Sequence, residues 1–248
     1  MKSFFRTHHR KNRVIFITVI IVALTTMGCQ EKVIISGKCG VWGGNATWQF
    51  SEEGVLRVKG NGPMVNFGVF DTHPWAHLRN KIKTVVIDQG ISNIGAFAFE
   101  DCWELTSVSI PNSILIIDDC AFLCCGLSSL SIPNSVNKIG YRAFAACKLT
   151  SVFIPSSIIN IETSAFEACP LTTVIIGNSN ITIGVRVFDG RYLKSVICKG
   201  NNPPNIVTGN NSTFSNVPDD IPVYIPSGSL SAYQNSNWGK VFSNFIEE

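Results

Sequence analysis

The sequence predicts a β-rich solenoid with a parallel strand in each 22- to 23-residue repeat, short helical turns between strands, and a cap at either end. Three observations carry this. Isoleucines recur at Ile94, Ile117, Ile139, Ile161 and Ile183, each followed five residues later by Phe99, Phe122, Phe144, Phe166 or Phe188. Cysteines and leucines follow in step, at Cys102, Cys125, Cys147 and Cys169 and at Leu105, Leu127, Leu149, Leu171 and Leu193. After each leucine comes a segment that alternates apolar and polar residues, the pattern of a half-buried strand. A fixed period of this length is the mark of a repeat architecture, in which no unit buries its apolar face alone and successive units must stack.

The chain begins with a leader. Its 248 residues carry a formal net charge of +3. Lys2, Arg6, Arg10, Lys11 and Arg13 supply five positive charges within residues 1–28, which contain no acid; without them 15 basic residues face 17 acidic ones. A basic stretch followed by the apolar run Val14 to Met27 reads as a secretory signal peptide. The alternative, a permanent anchor helix, asks for about 20 apolar residues. Gly28-Cys29, with the polar Gln30-Glu31-Lys32 after it, resembles the lipobox of bacterial lipoproteins, although Thr26 stands where that pattern prefers leucine. The resemblance implies lipid attachment at Cys29 and a membrane-anchored lipoprotein exported to the outer membrane or cell surface; the competing reading is an ordinary cleaved signal with an incidental cysteine. A near-neutral mature chain offers no electrostatic footprint for a phosphate backbone, so nucleic acid is excluded as a partner.

Residues 29–81 are expected to form an N-terminal cap, 82–200 the repeats and 201–248 a C-terminal cap. Within the repeats the inward strand residues are Val108/Ile110, Leu130/Ile132, Val152/Ile154, Val174/Ile176 and Val196/Cys198, and Pro111, Pro133 and Pro155 end their strands because proline cannot donate to a ladder. A half unit, Ile82 to Ile87, precedes them. Stacking places equivalent residues in columns about 4.8 Å apart. The segments between strands leave room for a helical turn or two.

The unit Ile139-Gly-Tyr-Arg-Ala-Phe144-Ala-Ala-Cys147-Lys-Leu149-Thr-Ser-Val-Phe-Ile-Pro155 resembles the BspA-like branch of leucine-rich repeats. The flanks agree: Gly37-Lys-Cys39-Gly, Trp48, Leu56 to Met64 and Pro74-Trp75 are similar to the N-terminal cap of such arrays, and Pro203-Pro204 with Val223 to Tyr233 to the C-terminal one. The resemblance implies a leucine-rich repeat solenoid that is secreted or surface-anchored, in a family known mainly as cell-surface proteins, some implicated in adhesion to host matrix and in aggregation between bacteria. Fold-level analogy does not name a ligand.

No constellation for catalysis emerges. Nine cysteines in an exported chain invite disulfides. However, Cys102, Cys125, Cys147 and Cys169 occupy an interior column, where reduced thiols are favoured, while Cys120 and Cys124 leave one local bridge open. No CxxC occurs, and His73 and His77 lack the acid of a metalloprotease pattern, so neither metal nor cofactor is expected. Paired acids such as Asp118-Asp119 lie adjacent rather than across a cleft, and no nucleophile elbow, phosphate loop or dinucleotide fingerprint is present.

A ligand face follows from the alternation. Counting from each leucine, the second and fourth residues point outward. The second form a hydroxyl column that includes Ser151, Thr173 and Ser195; the fourth end in an apolar stripe of Phe153, Ile175 and Ile197. Exposed apolar patches mark interaction sites. The expectation is a monomeric binding protein, with no enzymatic activity, that contacts a host matrix protein or glycan through these residues and the membrane through its lipid anchor only. A surface scaffold that assists polysaccharide capture is the alternative, as is a stripe covered by residues 200–220.

Overall fold

Each repeat makes one turn of a solenoid because its isoleucine, phenylalanine, cysteine and leucine must all reach the same interior. A computed structural model describes residues 32–41, 45–68, 73–177 and 179–248, and the leader, Cys29 and Trp42 lie outside the described residues. Among them, the members of the single apolar core fall between Cys39 and Phe242.

The chain enters through an antiparallel meander of strands Val33–Lys38, Thr47–Ser51 and Val55–Lys59. The last of these pairs in parallel with Thr84–Ile87, which pairs with Ser107–Ser109, so the meander converts an antiparallel start into the parallel array. A second five-stranded sheet holds Ser151–Ile154, Thr173–Ile176, Ser195–Cys198, Val223–Ile225 and Phe245–Glu247, all parallel. On the other side of the core, six two-residue strands stack from Asn93–Ile94 to Asn205–Ile206, and the repeating isoleucine is the buried member of each. The repeat isoleucine therefore seeds a sheet of its own.

Two features differ from expectation. The connections carry no helical turns within the repeats. They are tight turns in which two residues adopt left-handed backbone angles in each of the first four units, for example Arg142 (φ 51°) with Ala146 (φ 55°) and Ser164 with Ala168 (both φ 60°), and one, Arg186, in the fifth. A helical turn would close its hydrogen bonds on itself. Reversing alternate peptides instead aims the N–H groups along the solenoid axis, so Arg142, Phe144 and Ala146 donate to the carbonyls of Thr163, Ala165 and Glu167 one turn on. Left-handed backbone costs an L-residue roughly 1–2 kcal/mol, which these inter-turn bonds offset. Turns approach so closely that a Cβ on Gly140 would lie 2.6 Å from the Asp119 nitrogen.

The second difference is a gap in the strand face. Residues 129–132 join neither sheet, although Ile132 is buried as the alternation requires. The gap falls where the Cys-to-Leu spacing shortens from three residues (Cys102 to Leu105) to two (Cys125 to Leu127). Past residue 200 the stacking continues: Asn205–Ile206 extends the six-stranded sheet, Val223–Ile225 extends the five-stranded one, and Phe214 joins the phenylalanine column. Residues 201–225 thus build another turn.

The phenylalanine column is the spine. Ring centroids of Phe99, Phe122, Phe144, Phe166 and Phe188 are 5.1 to 5.9 Å apart, and the Phe122–Phe144 and Phe144–Phe166 pairs are tilted by only 5° and 7°. Such pairs contribute about 0.5–1.5 kcal/mol each beyond the area they bury. Indole rings close both ends: Trp75 stacks on Phe99 at 5.7 Å and Trp238 meets Phe214 edge-on at 5.3 Å. Each indole N–H donates to a backbone carbonyl, Trp75 to Ala98 and Trp238 to Pro204, so the bulky end-stops leave no orphaned donor.

Removing one ring from mid-column should be costly. Phe144→Ala is expected to lower stability by about 3–5 kcal/mol, read from the urea midpoint, while Tyr141→Ala, on an exposed side chain three residues away, should stay within about 0.5 kcal/mol. Equal small effects would show that the column does not carry the fold.

Candidate functional site

The outward positions of the second five-stranded sheet form the candidate site. Parallel pairing in register brings Phe153 beside Ile175 and Ile175 beside Ile197, which is the stripe that alternation places there. The register extends it: Ile197 aligns with Tyr224, and Tyr224 with Ile246. Five side chains therefore run across five strands, spanning about 19 Å at the inter-strand spacing. Phe153 is 50% exposed and Ile246 38% exposed, and the three between them are half-buried. The chain after residue 200, being built into the array as a further turn, does not cover Phe153.

Ser151, Thr173 and Ser195 pair in the same register as a hydroxyl ladder beside the stripe, with the Thr173 and Ser195 hydroxyl oxygens 3.4 Å apart. Toward the N-terminus the column breaks at the gap, so Thr84 and Ser107 pair in the other sheet. The site is thus confined to the C-terminal half. Sequence reasoning missed Tyr224 and Ile246. Reading Val223-Tyr-Ile225 as one more Val-x-Ile strand would have found the first; nothing in Phe245-Ile-Glu247 signals the second.

A hollow of about 210 Å³ opens between Ile197 and Tyr224, edged by Lys199 and Glu248, and larger hollows of about 480 and 560 Å³ lie on the turn side, around Arg186 and around Tyr192. Indole platforms do not contribute. Among the described residues Trp48, Trp75 and Trp238 are buried, and Trp103, 61% exposed, projects from a turn.

The cysteine column does structural work. The thiols of Cys125, Cys147 and Cys169 donate to the carbonyls of Phe99, Phe122 and Phe144 at 3.0 to 3.2 Å, a bond open only to reduced sulfur. Burial pushes Cys102 and Cys169 up to about 12 and raises Cys125 and Cys147 as well, which suppresses the thiolate that would react or bind metal. The eight described cysteines are free. Among the described residues no group of three or more His, Cys, Asp or Glu side chains could hold a metal ion. His73 is buried against Phe67 and Trp75 rather than set beside His77 as a ligand pair. Burial and, to a smaller degree, the charge of Arg79 lower it to about 4.

Six copies of the model for the BspA type leucine rich repeat region match across residues 76–194 and 116–236. The chain belongs to the BspA-type leucine-rich repeat family. Among solved structures, a leucine-rich repeat protein from Eubacterium ventriosum is 16% identical with a TM-score of 0.50, over 77% of this chain and 66% of that one. Another, from Bacteroides ovatus, is 22% identical with a TM-score of 0.49, over 73% of this chain and 58% of that one. The first likeness is one of fold, and the chain spans less than two thirds of either relative's length. No curated protein matches the chain. In this BspA-type chain the columns of isoleucine, phenylalanine and leucine that recur from repeat to repeat are buried, and the stripe lies at a position whose residue changes along the array.

Two outcomes follow from these environments. In native protein at pH 8, iodoacetamide should modify Cys124, the half-exposed thiol, before any member of the buried column, as read by peptide mapping; faster labelling of Cys147 would contradict the interior placement. Unfolded His73 takes up a proton below about 6.5 and the folded one only near 4, so stability should fall as pH drops through that window. His73→Phe should lose less stability between pH 7 and 5 than the parent, measured by urea midpoints, and equal losses would remove His73 as the cause.

Proposed function

We propose that this BspA-type protein is an exported, lipid-anchored surface binding protein that adheres to a host matrix protein through its C-terminal strand face. The observation that carries the reading is the unbroken stripe of Phe153, Ile175, Ile197, Tyr224 and Ile246. Isolated exposed apolar residues are ordinary on a protein surface, whereas a contiguous apolar band suits a partner. Its shape supports a macromolecule: small ligands take concave sites of about 300–1,000 Å³ that bury most of their surface, and the hollow between Ile197 and Tyr224 is about 210 Å³. Its chemistry supports protein over glycan, since aliphatic and phenyl groups bordered by hydroxyls match an extended apolar segment with a polar backbone. Adhesive function is consistent with the family, whose solenoids are typically non-enzymatic. Attachment through Cys29 supplies the surface address.

The second reading, an accessory scaffold for polysaccharide capture, draws on the two rings of the stripe, the exposed Phe153 and the half-buried Tyr224. The binding test separates them. Residues 30–248 are screened against immobilised matrix proteins and a polysaccharide panel beside the variant Phe153→Ser/Ile175→Ser/Ile197→Ser. Saturable binding to a matrix protein, weakened at least about tenfold in a variant of unchanged circular dichroism, is expected from the loss of central apolar anchors. Equal affinity of the two proteins overturns the stripe as the site, and binding to polysaccharide alone overturns the adhesin in favour of the scaffold.

A further inference from the structure

Among the described residues the entry strand Val33–Lys38 ends its sheet, paired with Thr47–Ser51, and its Val33, Ile34 and Ile35 are 45%, 59% and 37% exposed. Folded proteins normally blunt such edges with charge, proline or a covering segment, yet here three consecutive large apolar residues stand in the open. Beside them a groove of about 470 Å³ is lined by Ile34, Ile35, Phe50, Leu78, Lys81 and Lys83. The local charge is positive. Lys32 is paired with Glu52 at 2.7 Å, whereas Lys81 and Lys83 are exposed and, among the described residues, in no ion pair. Glu53, in the adjoining turn, is the other acid nearby among the described residues, which leaves one net positive charge among Lys32, Lys81, Lys83, Glu52 and Glu53, and Glu31 lies outside the described residues.

The tether decides what this patch meets. Cys29 is four residues from Val33, a span of at most about 14 Å even fully extended, and the apolar run of the leader ends two residues earlier. Held by lipid on Cys29, the patch stands within that distance of the bilayer, and held by an uncleaved segment ending at Met27 it stands within about 22 Å. Apolar side chains flanked by lysines are the composition of a surface that sits at the headgroup boundary of an anionic membrane, where phosphate and ester oxygens also accept from the N–H groups of an unpaired strand edge.

We infer that the Val33–Ile35 edge with Lys81 and Lys83 is a membrane-docking surface that seats the N-terminal end of the solenoid on anionic lipid. This rests on the anchored reading above and adds an orientation to it: the N-terminal cap lies against the bilayer, and the array carries the adhesive stripe away from it.

The full chain, purified from bacterial membranes with its native N-terminus, is reconstituted into vesicles containing about 30% phosphatidylglycerol. Floated vesicles are treated with an amine-reactive label, and each lysine is quantified by mass spectrometry. Lys81 and Lys83 should label at least threefold more slowly than in the variant Ile34→Asp/Ile35→Asp, while Lys148 and Lys194, on distant turns, label alike in both proteins. Flotation with equal labelling of Lys81 and Lys83 in both proteins overturns the docking surface and leaves the anchor intact. A chain that does not float overturns the anchor and the docking surface together. A lipid-free dimer abolished by the same substitutions assigns the edge to a second copy and also overturns the inference.

Discussion

The structure depends on inter-turn stacking at a fixed period. Each unit presents apolar groups that only its neighbours can cover, so stability is shared between adjacent turns. Keeping the phenylalanine five residues after the isoleucine lets every ring fall over the one before it, and centroid separations near 5.3 Å are reached with little tilt in mid-array. Several local features yield to this demand. Non-glycine residues accept left-handed angles, and cysteine thiols donate to the phenylalanine carbonyls of the preceding turn, at Phe99 and Phe144 beside a backbone N–H.

An array of stacked turns has two ends that would otherwise expose the core, and this chain closes them by different means. At the N-terminus an antiparallel meander covers the first parallel strand and Trp75 covers the first ring. At the C-terminus a degenerate turn brings Phe214 and then Trp238 over the last one, and Phe245–Glu247 pairs along Val223–Ile225. At each end an indole covers the outermost phenylalanine, and the Trp75 and Trp238 N–H groups donate to backbone carbonyls.

The demands of stability differ across the thickness of the sheet. Inward residues of the strand face are constrained by the core, and outward ones are not. That freedom allows the outward column to change from Ser109 and Ser131 to Phe153, Ile175 and Ile197 without disturbing the repeat. The gap at residues 129–132 makes the change abrupt, since it divides the face into two sheets and leaves the apolar half as a separate platform. The same chain then has two unlike surfaces, a stripe in the middle of a sheet and an apolar edge with lysines at the entry strand.

The sequence by itself determined the solenoid, the period, the buried columns and the stripe from Phe153 to Ile197, because each follows from residue spacing, and spacing survives translation into a repeating backbone. It also placed Cys102, Cys125, Cys147 and Cys169 in the interior. Only the tertiary structure decided how the turns between sheets are made, since left-handed residues such as Arg142 and Ala168 have no composition that marks them. Tertiary pairing alone likewise brought Tyr224 and Ile246 into the stripe and Phe214 into the column. Those residues lie in turns of altered length, where the period fails as a guide and contact with the preceding turn sets the register.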